Sequence, residues 1–190
     1  MNSKIKFIAL SVLASAMTFT SVASQAAVDG SVDVKFQSSI TSAYCDVALF
    51  DENKTKIDSN TLVVPSLTNS EAGVSGALGK PTQFYIGPND DTMCDWFKMD
   101  DNRVSVSVSG TSTDTNGEVL TNTNSSGPQN IGFFITDEDS RPVLNSDPHD
   151  YPYTETIKYI PYEVSLFNVD GSAAAGGLVS SVAVFTTAYM

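Results

Sequence analysis

Apolar and polar residues alternate along much of this chain. Val28, Gly30, Val32, Val34 and Phe36 fall on one parity, with Asp29, Ser31, Asp33 and Lys35 between them. Arg103 to Ser109 repeats the pattern without a break, valine against serine. A period of two puts one set of side chains on each face of a strand, the signature of a half-buried β-strand. Further strands are predicted over Ala43 to Leu49, Thr61 to Val64, Gln83 to Ile86, Ile131 to Thr136, Tyr162 to Phe167 and Leu178 to Tyr189. Pro65, Gly87-Pro88, the polar turn Asp137 to Ser140, Pro142 and Asp170-Gly171 punctuate them, and Asn116-Gly117 is a hairpin-turn signal. Thr111 to Asn130 and Asn145 to Thr156 are rich in Ser, Thr, Asn, Asp and Pro and read as loops. No helical period follows the first residues. Short strands between turns predict a single all-β domain, an antiparallel sandwich or barrel.

The first residues follow a different pattern. Lys4 and Lys6 precede an apolar run that opens at Ile8 to Leu13 and reaches about Phe19, and Ser24-Gln25-Ala26 supplies small residues at the cleavage positions. That order describes a secretory signal peptide. The run is well short of the ~20 residues that span a bilayer. Cleavage is expected after Ala26, with Ala27 as the alternative. Taking 26 of the 190 residues away leaves 164, which suits one domain with its own core. The expected divisions are 1–26 as signal, 27–44 as an N-terminal extension leading into the first strand, and 45–190 as the domain. The chain is expected to be exported, with no membrane span.

Charge and cysteines narrow the function classes. The formal net charge of −12 becomes −14 once Lys4 and Lys6 are removed. So acidic a chain argues against nucleic acid and anionic lipid, which both require a positive footprint. Cys45 and Cys94 are the two cysteines. An even count in an oxidising compartment favours a disulfide over a metal site or a nucleophile. Such a link would stabilise the fold by roughly 4 kcal/mol in the chain-entropy description.

Catalytic and metal chemistry finds little support. His149, the single histidine, sits in Asp147-Pro148-His149-Asp150, a setting that reads as a solvated loop. No motif surrounds any serine that could use it. Asp137 to Asp139 lacks the spaced oxygen ligands and glycine of a calcium loop and reads as a turn. Asn53-Lys54-Thr55 and Asn124-Ser125-Ser126 match the glycosylation sequon. The chain is read as a non-enzyme that requires no cofactor.

Several residues taken in order resemble a known family. Phe36 lies nine residues before Cys45, Asn130-Ile131-Gly132 opens a central strand, and Ile160-Pro161-Tyr162 precedes the last two strands. Gly177 is fourteenth from the C-terminus and Tyr189 is penultimate. Together these resemble the major pilins of chaperone–usher, type 1-like fimbriae, over essentially all of the exported chain. The chain departs from that family in having Ser38 where a glycine is usual. It also has two extra residues between Phe36 and the glycine of the N-terminal strand, so the donor-strand register stays open by one two-residue step.

The resemblance implies an incomplete immunoglobulin-like antiparallel sandwich, completed by a donor strand from a neighbouring subunit. Val28, Gly30, Val32, Val34 and Phe36 would form the donor strand. Gly177, Ala183, Phe185, Thr187 and Tyr189 would form the groove edge that a chaperone reads. The implied partners are other copies in a homopolymer, with a periplasmic chaperone and an outer-membrane usher during assembly. The implied place is a surface fimbria serving cell adhesion. Two alternatives remain open: a minor adaptor or terminator of a pilus, and a monomeric secreted sandwich whose N-terminal strand folds back on itself. An exported hydrolase comes third.

Overall fold

A computed structural model of the chain describes residues 46–90, 103–152 and 158–188, together with the backbone course of 32–38 and of Tyr189. The expected signal peptide and its cleavage site, Val28 and Gly30, and both Cys45 and Cys94 lie outside the described residues. Among the described residues, no helix is long and apolar enough to cross a membrane.

Among the described residues, ten strands form two five-stranded sheets. The front sheet orders β3 (Thr61–Val64), β1 (Val32–Ser38), β10 (Ser181–Tyr189), β5 (Arg103–Ser109) and β8 (His149–Pro152). The back sheet orders β2 (Val47–Phe50), β4 (Gly76–Pro88), β9 (Ile160–Asn168), β7 (Ile131–Asp137) and β6 (Val119–Leu120). Every ladder is antiparallel except that between β1 and β10, which is parallel. This is the expected all-β sandwich, and β1 supplies its one parallel pairing among the described strands.

Alternation decides which faces meet. Val104, Val106 and Val108 of β5 are buried while Ser105 and Ser107 are half-buried. The two faces close on an aromatic cluster. Phe84 of β4 stacks on Tyr162 of β9 with ring centres 5.6 Å apart. The Phe185 ring of β10 stands edge-on to both, at 5.9 Å from Phe84 and 5.2 Å from Tyr162. Tyr151 of β8 meets Tyr162 at 6.0 Å. Rings that interlock across two sheets fix how the sheets sit on each other, and each such pair adds about 0.5–1.5 kcal/mol beyond its burial.

Three expected features take a different form. β4 runs from Gly76, well before Gln83, because it carries an irregularity between Leu78 and Thr82. Gly79 turns the chain there with φ of 68°, and the bend hides the continuous pairing from a period-two reading. Asn116-Gly117 lies in a longer turn governed by Asp114, whose carboxylate accepts from the N–H groups of Asn116 (3.0 Å) and Val119 (2.7 Å). Gly117 takes φ of 82°, and the hairpin closes from Thr113 N–H to Val119 C=O at 2.9 Å.

The third is a correction. Asn145 to Thr156 is not wholly loop, since β8 pairs with β5 through His149↔Val106 to Pro152↔Arg103. His149 is therefore a strand residue with its side chain only 20% exposed, rather than part of a solvated loop. A short strand at a sheet edge with one apolar residue carries no alternation to announce it; β5 recruits it through backbone pairing while Tyr151 packs on Tyr162.

Candidate functional site: the slot between β3 and β10

Without β1, the front sheet would hold two strands separated by the width of one. β3 and β10 do not pair with each other; each pairs with β1. Two ladder spacings of about 4.8 Å set the width of that slot. Its walls are apolar and buried. Leu62 and Val64 of β3 are 5% and 3% exposed, and Ala183 and Phe185 of β10 are both 0% exposed. At the end where Phe185 lies, a cavity of about 250 Å³ opens against Leu49 and Ile86, with Lys56, Asp58 and Asn60 at its polar rim.

The sequence places these walls by simple means. Ala183, Phe185 and Thr187 share a parity in β10 and all three are buried, as alternation in Leu178 to Tyr189 predicts. Val182, on the other parity, is 39% exposed. The Thr187 hydroxyl is buried and has no hydrogen-bond partner among the described residues. Across the sheet, Val184↔Ser109 through Tyr189↔Val104 tie β10 firmly to β5. One side of β10 is thus laddered to β5, and the other faces the slot.

The occupant of the slot is the chain's own N-terminal strand. Val32, Asp33, Val34 and Lys35 pair antiparallel with Val64, Val63, Leu62 and Thr61. Val34 to Ser38 pair parallel with Ser181 to Phe185, which places Phe36 opposite Ala183. The register sets Val32, Val34 and Phe36 against the buried positions Val64, Leu62, Ser181 and Ala183.

Not every expected edge residue comes to the slot. Gly177 lies ahead of β10, where a Cβ would stand 3.0 Å from Gly127 Cα and 3.3 Å from Pro128 Cδ. Its lack of a side chain serves packing against the 126–128 turn. Tyr189 ends β10 on the β5 ladder, opposite Val104. The second wall, Leu62 and Val64, is absent from the residues expected at the site. The alternation Leu62, Val64 was visible, but four residues ending at Pro65 do not reveal which strand stands beside them.

One polar cluster lies apart from the slot. Asp137, fully buried at the end of β7, accepts from the N–H groups of Asp139 (3.0 Å) and Arg141 (2.9 Å) through Oδ1. Its Oδ2 accepts from Arg141 Nε at 2.8 Å and lies 2.6 Å from Nη2. His149 Nδ1 is 3.3 Å from the same oxygen. Burial pushes the Asp137 carboxyl up, but the N–H, guanidinium hydrogen bond and charge of Arg141, with the Asp139 N–H, outweigh it and hold the group below the usual carboxylate range. Asp137 to Ser140 is thus a turn, as expected, pinned by its own first residue. Among the described residues, no group of three or more His, Cys, Asp or Glu could hold a metal ion.

The described strands thus form a sandwich with a one-strand gap in its front sheet, filled by the chain's own β1. The chain's fold is that of the P pilus rod subunit PapA, whose crystal structure aligns with a TM-score of 0.57 at 17% sequence identity, over 80% of this chain and 95% of that one. A chaperone–usher pilus structure describing rod uncoiling aligns with a TM-score of 0.48 at 16% identity, over 80% and 93%. An antigen and type I fimbria protein of Burkholderia pseudomallei aligns with a TM-score of 0.37 at 20% identity, over 84% and 94%. No family model matches the sequence. No curated protein matches it either.

Proposed function

We propose that the chain is a structural subunit of a surface pilus, polymerised by passing its N-terminal strand into the slot of a neighbouring copy. The observation that carries this reading is the slot itself: the edges of β3 and β10 do not pair with each other but stand one strand apart over a buried apolar floor, bridged by β1. Such edges are costly to leave bare and invite a strand from outside. Addition of a strand gives ladder hydrogen bonds and seats alternate side chains. Four apolar side chains entering the slot, Val28, Val32, Val34 and Phe36, would each contribute about 1.5–3 kcal/mol as an upper bound. Gly30 would pass where room is least. No catalysis, nucleotide or metal enters such a process, because burial and pairing drive it.

The same reading supplies the partners and the place. A chaperone would lend a strand to the slot before assembly, reading the Ala183, Phe185 and Thr187 edge, and an usher would pass the subunit through the outer membrane. The signal peptide takes the chain out of the cytoplasm, and the Cys45–Cys94 disulfide would close in the oxidising space beyond. The fibre would serve adhesion at the cell surface.

Residues 32–38 pairing within their own chain favour a second reading, a secreted sandwich that stays a monomer. Deleting residues 27–36 separates the two. Cells exporting the deleted chain should show no filaments labelled by antibody against it, while the intact chain labels filaments along their length. Normal filaments from the deleted chain would overturn the proposal, and an intact chain found only as free monomer would favour the second reading.

A further inference from the structure

The turn before β6 carries the chain's single Asn-Gly pair, Asn116-Gly117. Asp114 fixes the main chain there by accepting from the N–H groups of Asn116 and Val119. The Asn116 side chain is left free: the residue is exposed, and its carboxamide makes no hydrogen bond among the described residues. The nitrogen that follows it is also open. Gly117 N–H reaches only the Asp114 carbonyl, at 3.4 Å, longer than the usual bond. Glycine puts no side chain beside that nitrogen, and even a Cβ would have Ser112 Oγ at 3.9 Å as its nearest neighbour.

Other asparagines differ in one respect or the other. Asn122 and Asn168 are buried and bonded through both side-chain atoms. Asn145, which precedes Ser146, donates to the carbonyls of Gly110 (3.1 Å) and Gly117 (3.0 Å) and accepts from Gly110 N–H (3.2 Å). Asn53, Asn60 and Asn69 are exposed, but Lys54, Thr61 and Ser70 follow them, and a side chain crowds the nitrogen that would attack.

We propose that Asn116 is a site of spontaneous deamidation, converting in the folded chain to aspartate and isoaspartate. Asparagine is among the thermolabile residues, and here both reacting groups are open. Gly117 N attacks Asn116 Cγ, forming the N–Cγ bond of a cyclic succinimide. The Cγ–Nδ2 bond breaks, and the proton lost from Gly117 N leaves with Nδ2 as ammonia. Water then opens the ring. Breaking N–Cγ gives aspartate, whereas breaking the bond from Gly117 N to the Asn116 main-chain carbonyl carbon gives isoaspartate. In sum, asparagine and water become the acid and ammonia, with no oxidant, metal or enzyme.

Either product places a new negative charge near Asp114 and Glu118, where like charges repel. Isoaspartate also reroutes the main chain through the former side chain. That shifts the Gly117 carbonyl from Asn145 Nδ2 and loosens the Thr113–Val119 closure ahead of the buried Val119 and Leu120.

Incubating the intact soluble chain at mildly alkaline pH, with peptide mass spectrometry against time, tests this. The peptide holding Asn116 should show the amide-to-acid mass change ahead of those holding Asn53, Asn60, Asn69 and Asn145. The rate should rise with pH, because the attacking nitrogen must lose its proton. Isoaspartyl methyltransferase should label the same peptide. Asn116→Gln, whose longer side chain closes the ring poorly, should abolish the change. The aged chain should melt below the fresh one, while aged Asn116→Gln should melt as when fresh. Asn116 staying intact in the folded chain while a free peptide of residues 112–121 converts would overturn the proposal, since the fold would then shield the site. Earlier conversion at another described asparagine would overturn it too, and a converted chain with an unchanged melt would overturn the loosening of the turn.

Discussion

The Asp137 carboxylate shows how one side chain shapes both a turn and its pH response. It closes the turn after β7 by accepting from Asp139 and Arg141, and it pairs with a half-exposed guanidinium. Because its carboxyl is held below the ordinary value, its contribution is complete above the unfolded value of about 4 and disappears as pH falls through the lower folded value. Asp137→Asn should therefore destabilise the chain by about 1.5–3 kcal/mol at pH 7, the range for hydrogen bonds to charged groups. The difference should shrink in strong acid, where the native carboxylate is itself protonated. Urea denaturation of both chains at pH 7 and across the acid range measures this; an unchanged gap would show that the charge is immaterial. The aspartate's place in a turn was legible from Asp137-Glu138-Asp139-Ser140. Its burial and its neighbour His149 were not, because both depend on β8 lying beside it.

Among the elements, the loop before β10 is set by two glycines and one asparagine. Asn122 Nδ2 donates to the carbonyls of Pro128 (2.9 Å) and Leu178 (3.3 Å), and its Oδ1 accepts from Ser180 N–H at 3.0 Å. Gly127 fits beneath this bridge, where a Cβ would stand 2.0 Å from the Leu178 carbonyl and 2.8 Å from Asn122 Nδ2. Gly127→Ala should cost about 1–3 kcal/mol, as overpacking of a fixed backbone does. Gly176→Ala is the control, since its nearest contact would be an ordinary 3.6 Å to Asn69. Thermal melts of the two variants should differ clearly; equal melts would mean the loop can move aside. Strand limits were legible where alternation is clean, as in β5 and β3, and hidden where a bulge bends β4. β8 was hidden because its four residues offer a single buried ring, Tyr151, and so no alternation to reveal.

For the whole molecule, completing the front sheet is part of folding. A chain lacking residues 27–38 exposes a buried apolar slot and should melt well below the intact chain. Adding the peptide of residues 27–38 should restore stability by mass action, by about 2.7 kcal/mol at a hundred times its dissociation constant. Melting temperature measured against peptide concentration checks this, and a Val34→Asp peptide should restore far less. Indifference of the shortened chain to the peptide would show that the slot is not the place where the strand acts.

Sequence alone determined the β class and the parity on which Val32, Val34, Phe36, Ala183 and Phe185 lie. Those properties follow from alternation and punctuation, which are local. Tertiary structure decided what stands beside what: that β3 forms the second wall, that Gly177 packs against Gly127, and that β1 runs parallel to β10 in its own chain. Pairing partners and strand direction arise from contacts between distant segments, and a period of two is the same whichever way a strand runs.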